Sequence, residues 1–541
     1  MAGEVIDHDV VIVGAGFAGL YMLHKLRQQG FDALVIEAGD GIGGTWHWNR
    51  YPGARCDIPS MEYCYSFDRE LQSEWRWTER YATGPEILAY IEHVADRFAL
   101  RDGIRLSTRV TSAHWNEASD TWAVTTDKGD TLTARWVVMA TGCLSKPHLP
   151  DWPGIENFAG EIHHTGDWPQ GGIDVSGKRV GVVGTGSSGI QVISTIAADA
   201  GELVVFQRTP SFFVPANNRP LGDAEVAAMQ AEYDHLRDKA RSSFLGFFEL
   251  PEANAGSALD DDEAARAAQY EKCWNAGTTG LLQAYGDLLV NEKANATAAE
   301  FARAKIAALV HDPEKARLLT PTGYPIGARR LCSEIGYFDT MNRANVTLVD
   351  VRGAAIERVG GKTVVLADGR RFELDVLILA TGYDAITGAL TAIDIRGEQG
   401  KSLNDDWSDG PRAYLGLMVA GFPNLFTITG PGSPSVLSNV ILSIEQHVQW
   451  IAGCLGALRE RGATRIAPTP ETEAQWVDHV HEVAQVTLFP RATGTWYHTT
   501  ARDGRRVFMP YVGGVGPYRD YCAAVADEGY RGFAIGVPVA A

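Results

Sequence analysis

The sequence predicts an α/β protein built on two copies of one strand–turn–helix unit, and three observations carry that reading. An apolar, β-branched run leads straight into a Gly-x-Gly-x-x-Gly turn twice, at Asp9–Val13 with Gly14, Gly16 and Gly19, and at Arg179–Val183 with Gly184, Gly186 and Gly189. Each turn opens a segment of helical apolar spacing, Leu20 to Leu26 and Ile190 to Ala198. Two further apolar strands end in Ala-Thr-Gly, at Gly142 and Gly382, and bracket the second unit as if one domain were inserted into another.

Glycines at this spacing let the backbone approach a pyrophosphate, and the helix start supplies N–H donors and a positive dipole end. Two fingerprints imply two dinucleotides, held by two Rossmann-like domains. The first fingerprint is followed by a strand, Ala33–Ile36, that ends in Glu37, a carboxylate placed for ribose hydroxyls and suited to the adenosine of FAD. The same offset from Gly184 reaches Gln207, followed by Arg208 and Thr209. A carboxylate there would repel a 2'-phosphate; an amide beside a guanidinium accommodates one, so the second site favours NADP over NAD. An exposed Arg208 with no such role is the alternative. The expected domains are residues 1–143 for FAD, 144–380 for NADP with a helical insertion at about 220–320, and 381–541 returning to FAD.

Length and composition agree. The 541 residues suit two or three domains. With 48 basic against 67 acidic residues the net charge is -19, which disfavours nucleic acid and anionic membrane as partners. Seven cysteines without a Cys-x-x-Cys pair offer neither a zinc site nor a disulfide framework. An acidic N-terminus flowing into a strand is not a signal peptide, and no apolar run approaches the ~20 residues of a membrane span. A cytoplasmic protein is expected.

Between the fingerprints and beyond them lie stretches rich in chemistry. Gly43 to Gly53 carries Gly44, Thr45, Trp46 and Trp48, too aromatic for an ordinary surface loop unless its rings simply pack in the core. Arg55-Cys56-Asp57 sets a cation beside an anion, which alone reads as a solvated pair. Phe244 to Phe248 is apolar enough for helix packing or for an entrance, and Asp260 to Glu263 reads as a helix start. Arg329 and Arg330 follow a Gly-Pro turn, where a basic surface spot is equally open. The glycine-rich loop 430–439 precedes a helix from about Val440, and Trp496 is a core tryptophan or a cofactor cover. Phe158 to Pro169 has loop-like composition, with a Trp-Pro pair that ends regular structure; by itself it is a linker.

That run, Phe-x-Gly-x-x-x-His-x-x-x-Trp-Pro with His164 at the histidine position, resembles the signature of type I Baeyer-Villiger monooxygenases, and the aromatic loop resembles the segment with which that family surrounds FAD. The resemblance covers nearly the whole chain and is nearest to the phenylacetone, steroid and cyclohexanone monooxygenase group. It implies an NADPH- and dioxygen-dependent enzyme that inserts oxygen beside a ketone carbonyl through a C4a-peroxyflavin, giving an ester or lactone. It implies catalytic roles for Arg330 and Asp57. Asp57 would lie beside the isoalloxazine ring, and Tyr63, Val110 and Val440 would line the flavin. Arg55, Asp57, Thr185, Ser187, Ser188, Thr209, Arg329, Arg330 and Trp496 would contact NADP. Ser435, Val436 and Leu437 would face the ketone, and His164 would act as a hydrogen-bonding element of the interdomain hinge. A guanidinium suits the catalytic role because it stays protonated and stabilises an anionic oxygen without protonating it.

Three rivals remain at this stage. A flavin N- or S-oxygenase shares both fingerprints. A disulfide reductase needs a closely spaced cysteine pair, and Cys56 and Cys64 are eight apart. A silent FAD/NADP-binding scaffold is the third.

Overall fold

The computed structural model describes residues 6–251 and 254–536; the first five residues of the acidic N-terminal run lie outside them. Two sheets organise the chain. The first has eight strands, with His8–Val13 central and parallel to both Ala33–Ile36 and Thr131–Met139. Val110–Asn116 and Thr121–Thr126 extend it as an antiparallel meander, while Asp394–Arg396 and Leu425–Thr427 join it from far along the chain. The second sheet is wholly parallel, in the order Val346–Asp350, Glu202–Gln207, Arg179–Val183, Val376–Leu379, Glu161–His164. All-parallel strands covered on both faces read as continuous apolar runs, as Val376–Leu379 does, with all four residues buried.

The two Ala-Thr-Gly strands lie in different sheets. Thr131–Met139 belongs to the first sheet and Val376–Leu379 to the second, so the chain leaves one core just past residue 139 and comes back just past 379.

The Phe158–Pro169 run departs from its loop-like reading. Glu161–His164 is an edge strand of the second sheet, in register from Val376↔Glu161 to Leu379↔His164. Polar Glu-Ile-His-His has little strand propensity, but the apolar Val376–Leu379 strand presents an unpaired edge whose backbone groups need partners, and tertiary pairing outweighs propensity.

The stretch at about 220–320 carries helices that divide into two groups. Glu263–Ala276 and Glu292–Leu309 close around their own core with Phe212, Tyr285 and Ile326. By contrast Asp223–Ala231 and Tyr233–Ser242 turn Val226, Tyr233 and Ala240 into the core of the first sheet's domain. Buried Arg237 fixes that docking, donating to the Met61 carbonyl at 2.9 Å and to the Cys64 thiol at 3.1 Å. The acidic run does start a helix: Asp262 caps Glu263–Ala276 by accepting from the Ala265 amide at 2.9 Å.

Candidate active site

The two glycine turns place the nucleotide ends of the sheets. Gly14 has φ +107°, and a Cβ there would lie 2.5 Å from the Ala140 carbonyl oxygen; Gly184 has φ +107° and would meet Ala380 at 2.3 Å. The helices Phe17–Gln28 and Ser187–Ile196 start directly after Gly16 and Gly186, so their N-terminal N–H groups open at the turns.

Glu37 is buried, and its carboxylate accepts from the amides of Ala15 and Gly39 at 2.7 Å each, tying the end of the second strand to the glycine turn. Gln207 is also buried; its amide donates to the Leu318 carbonyl at 2.8 Å, and its oxygen faces Thr185 at 3.4 Å. Arg208 is exposed and Thr209 half-buried. Arg329 lies 5.4 Å over the Tyr324 ring with one guanidinium nitrogen buried and without a hydrogen-bond partner. An orphaned guanidinium N–H is costly unless an acceptor arrives, and a phosphate is the acceptor that an arginine fits best.

The aromatic loop folds over the first turn. Gly44 lies against Gly16, so that a Cβ on it would stand 2.9 Å from the Gly16 Cα. The Trp46 indole donates to the Tyr63 hydroxyl at 3.2 Å and meets its ring edge-on at 5.8 Å. Burial drives the Tyr63 hydroxyl pKa well up. Trp48 is half-buried beside them in the short helix Thr45–Trp48. Val110 is buried in the core of the first sheet, and Val440 begins the helix Val440–Glu460 capped by Asn439.

Arg330 and Asp57 form a two-point pair, Nε to Oδ2 at 3.0 Å and Nη2 to Oδ1 at 2.8 Å. The remaining Nη1 donates to the Val436 carbonyl at 2.8 Å. One guanidinium therefore joins residues that the sequence separates by 273 and 106 positions. Burial alone would lower the Arg330 pKa, but the Asp57 charge and its hydrogen bonds carry it above the ordinary value, so this cation does not titrate. Ser435, buried at φ +45°, starts the 3-10 turn Ser435–Leu437 that presents the Val436 carbonyl; Leu437 packs towards Phe489 and Tyr497. Trp496 sits edge-on to Tyr497 at 4.5 Å and packs against the cluster of Ala385, Ile386 and Met509.

Two candidates hold places that the sequence did not reveal. The Arg55 guanidinium is engaged by Glu79 and the Tyr81 carbonyl. Its main chain is clasped by Gln191, which donates to the Arg55 carbonyl at 3.0 Å and accepts from the Tyr51 hydroxyl at 2.8 Å. His164 is buried, accepts the Gly166 amide at 2.9 Å, and has its pKa lowered by burial, which favours the neutral ring. Its edge meets Tyr383 at 5.9 Å, and the Tyr383 hydroxyl donates to Asn49 at 2.5 Å, which in turn donates to the Thr45 carbonyl at 2.8 Å.

Sequence reasoning missed Gln191, Tyr383 and Asn49. Gln191 was legible as the residue one helical turn after Ser187; Tyr383, directly after the second Ala-Thr-Gly, carried no signal of its partner 334 residues away.

A larger cleft of about 1010 Å³ involves none of these residues; its Arg412 is met by Asp406 and Glu473 and its Arg465 by Glu398. Among the described residues no cluster fit to hold a metal occurs, and no helix is long and apolar enough to cross a membrane.

The family model for pyridine nucleotide-disulphide oxidoreductases matches residues 11–218. A Baeyer-Villiger monooxygenase of Pseudooceanicola batsensis is 41% identical over 97% of this chain and 95% of its own. A phenazine N-monooxygenase of Lysobacter antibioticus is 40% identical over 97% and 96%. Among solved structures, an oxidized steroid monooxygenase bound to NADP aligns with a TM-score of 0.92 and 48% identity, covering 98% of this chain and 99% of that one. With this extent of identity over matched full lengths, and with both glycine turns, the signature run and the Arg330–Asp57 pair in place, the chain belongs to the Baeyer-Villiger monooxygenase family.

Proposed function

We propose that the chain is an NADPH- and dioxygen-dependent flavin monooxygenase that converts a ketone to an ester or lactone. The observation that carries this reading is the half-buried Arg330–Asp57 pair with its third bond to the Val436 carbonyl. When bound, FAD supplies dioxygen activation and NADPH the hydride.

The chain's own residues do the rest. Gly14, Gly16, Gly19, Glu37, Gly44, Thr45, Trp46, Trp48, Tyr63, Val110 and Val440 hold FAD. Gly184, Thr185, Gly186, Ser187, Ser188, Gly189, Arg208, Thr209, Arg329 and Trp496 hold NADP, and the exposed guanidinium of Arg208 and the orphaned N–H of Arg329 fit its 2'-phosphate. Arg55 and Asp57 border the nicotinamide end. Arg330 stabilises negative charge on oxygen without surrendering a proton, and Asp57 fixes the plane of its guanidinium. Ser435, Val436 and Leu437 border the ketone. His164, neutral and buried, is a hinge element rather than an acid or base. Residues 1–143 with 381–541 serve FAD and 144–380 serve NADP. Seven cysteines, all free, fit a reducing cytoplasm.

The Lysobacter relative shows that this family also contains an N-oxygenase. The test is incubation of the purified protein with NADPH, oxygen and a panel of cyclic, aryl-alkyl and steroid ketones. Esters or lactones one oxygen heavier than the ketone are expected; oxidation of an amine or sulfide while every ketone is left untouched refutes the reading.

A further inference from the structure

Asp57 lies between Cys56 and Ile58, both buried in the core of the first sheet's domain. Arg330 belongs to a different body: the next residue, Leu331, is buried with Phe212, Val214 and Trp274 in a separate core. The strand Cys332–Glu334 runs parallel to Phe213–Pro215, and the helix Glu263–Ala276 ends against the latter. A Cβ on Gly277, just past that helix, would stand 2.8 Å from the Ala216 carbonyl oxygen and 3.0 Å from that of Pro215. The Arg330–Asp57 pair therefore crosses a seam between two cores.

A second bond crosses the same seam at the same residue. The Thr278 hydroxyl donates to the Asp57 main-chain carbonyl at 2.8 Å, across 221 positions, and among the described residues no other donor reaches that oxygen. Thr278 is buried and has φ +45°. A β-branched residue in the left-handed region is an outlier that persists only where its surroundings hold it. Glycine would take this conformation freely but has no hydroxyl to give. The helix end beside it is fastened as well. Asn217 donates to the Asn275 carbonyl at 2.8 Å, and Arg80 donates to the Ala276 carbonyl at 3.0 Å, a cation at the negative end of the helix.

We propose that Thr278 is a positioning residue for the Arg330–Asp57 site: it fixes the Asp57 main chain against the body that carries Arg330, so that the carboxylate meets Nε and Nη2 together. The proposal rests on the oxygenase reading. Arg330 holds the carboxylate of Asp57 and Thr278 holds its carbonyl, so a shift along the seam that loosens one bond loosens both. A guanidinium displaced in this way no longer lies where negative charge on oxygen develops.

Three substitutions separate the hydroxyl from its setting. Thr278→Val keeps the branch and loses the donor, Thr278→Ala loses both, and Thr278→Ser keeps the donor and loses the methyl. With flavin-loaded protein, NADPH and a ketone, ester formation is expected to fall about 10- to 100-fold in Thr278→Val and Thr278→Ala and to stay within a few-fold of wild type in Thr278→Ser. Anaerobic flavin reduction by NADPH should stay within a few-fold in all three. In an Asp57→Ala background, Thr278→Val should add little to the loss already present, because the carboxylate it positions is gone. Wild-type ester formation in Thr278→Val and Thr278→Ala overturns the proposal. So does a loss in Thr278→Ser as large as in Thr278→Val, which would make the methyl's packing the cause, or a full further loss in the Asp57→Ala background. Hydrogen exchange of the flavin-loaded protein needs no ketone: peptides over residues 54–60 and 276–284 should exchange faster together in Thr278→Val and at the wild-type rate in Thr278→Ser. Unchanged exchange in Thr278→Val overturns the proposal. If the wild type forms no ester from any ketone, the ketone reading fails, and the exchange alone decides whether Thr278 holds Asp57.

Discussion

The glycine turns at Gly14–Gly19 and Gly184–Gly189 are twins in backbone and opposites in surroundings. Gly14 and Gly184 share φ +107°, Gly16 and Gly186 cap their helices at φ/ψ of -84°/-167° and -83°/-170°, and a Cβ on Gly19 or Gly189 would fall within 1.8 or 2.2 Å of the carbonyl oxygen of Gly14 or Gly184. The first turn is roofed: Gly44 would touch a Cβ on Gly16 at 3.4 Å, whereas Gly186 has nothing within 4 Å. Behind the first stands a carboxylate, Glu37, and behind the second an amide, Gln207, with an exposed Arg208. On the proposed reading the shared backbone would bind a pyrophosphate in both places. The roof would keep one occupant resident and the open turn would let the other exchange, while a single side chain would select between them.

The largest expected effect comes from breaking the symmetry sterically. Gly19→Ala drives a methyl into the turn's own backbone and should yield protein without visible flavin absorbance. Gly186→Ala, in open space, should stay yellow and lose only NADPH affinity; two colourless proteins would show the turns to be equally structural. Exchanging the selector comes next: Gln207→Glu with Arg208→Ala removes a charged hydrogen-bond donor and adds a repelling charge. It should shift the kcat/KM ratio of NADPH over NADH down roughly 10- to 100-fold, on the order of 1.5–3 kcal/mol. An unchanged ratio would move the 2'-phosphate away from Arg208.

Smaller effects sharpen how the halves are held together. Tyr383→Phe cuts the link from the His164 strand to Asn49 at a cost of ~1 kcal/mol. Slower flavin reduction with an unchanged amount of bound flavin is the expected signature; wild-type reduction would reduce the link to packing. The smallest effect concerns the flavin half alone. Burial first, and the neighbouring Glu249 second, raise the Glu62 carboxyl above its ordinary value, and it accepts the Phe248 amide at 2.9 Å. A carboxyl raised on folding contributes stability that is full below its unfolded pKa and is lost as pH rises through its folded one. The wild-type melting temperature should therefore fall more steeply from about pH 5 upward than that of Glu62→Gln; parallel curves would remove Glu62 from the account.

Much of this was legible because the signals are local. Strand, glycine turn and helix follow one another within some twenty residues, and the Glu37 and Gln207 offsets can be counted along the chain. Apolar runs ending in Ala-Thr-Gly likewise marked both of those strands. What stayed hidden depends on partners distant in sequence. Glu161–His164 becomes a strand only because Val376–Leu379 offers an edge, and half of the helical insertion joins the first core because Arg237 finds carbonyls at Met61 and Glu62. The Arg330–Asp57 pair was named through family resemblance; nothing local to Arg329-Arg330 distinguishes the arginine that pairs from the one left with an orphaned N–H.

The most direct test separates flavin reduction from ketone oxidation in Arg330→Ala. Anaerobic mixing with NADPH reports reduction, and aerobic turnover with a ketone reports ester. Reduction within a few-fold of wild type together with ester formation lowered by about 10²-fold or more is the expected result. Ester formed at an undiminished rate, or reduction lost to the same degree as ester, would contradict the assignment of ketone chemistry to this pair.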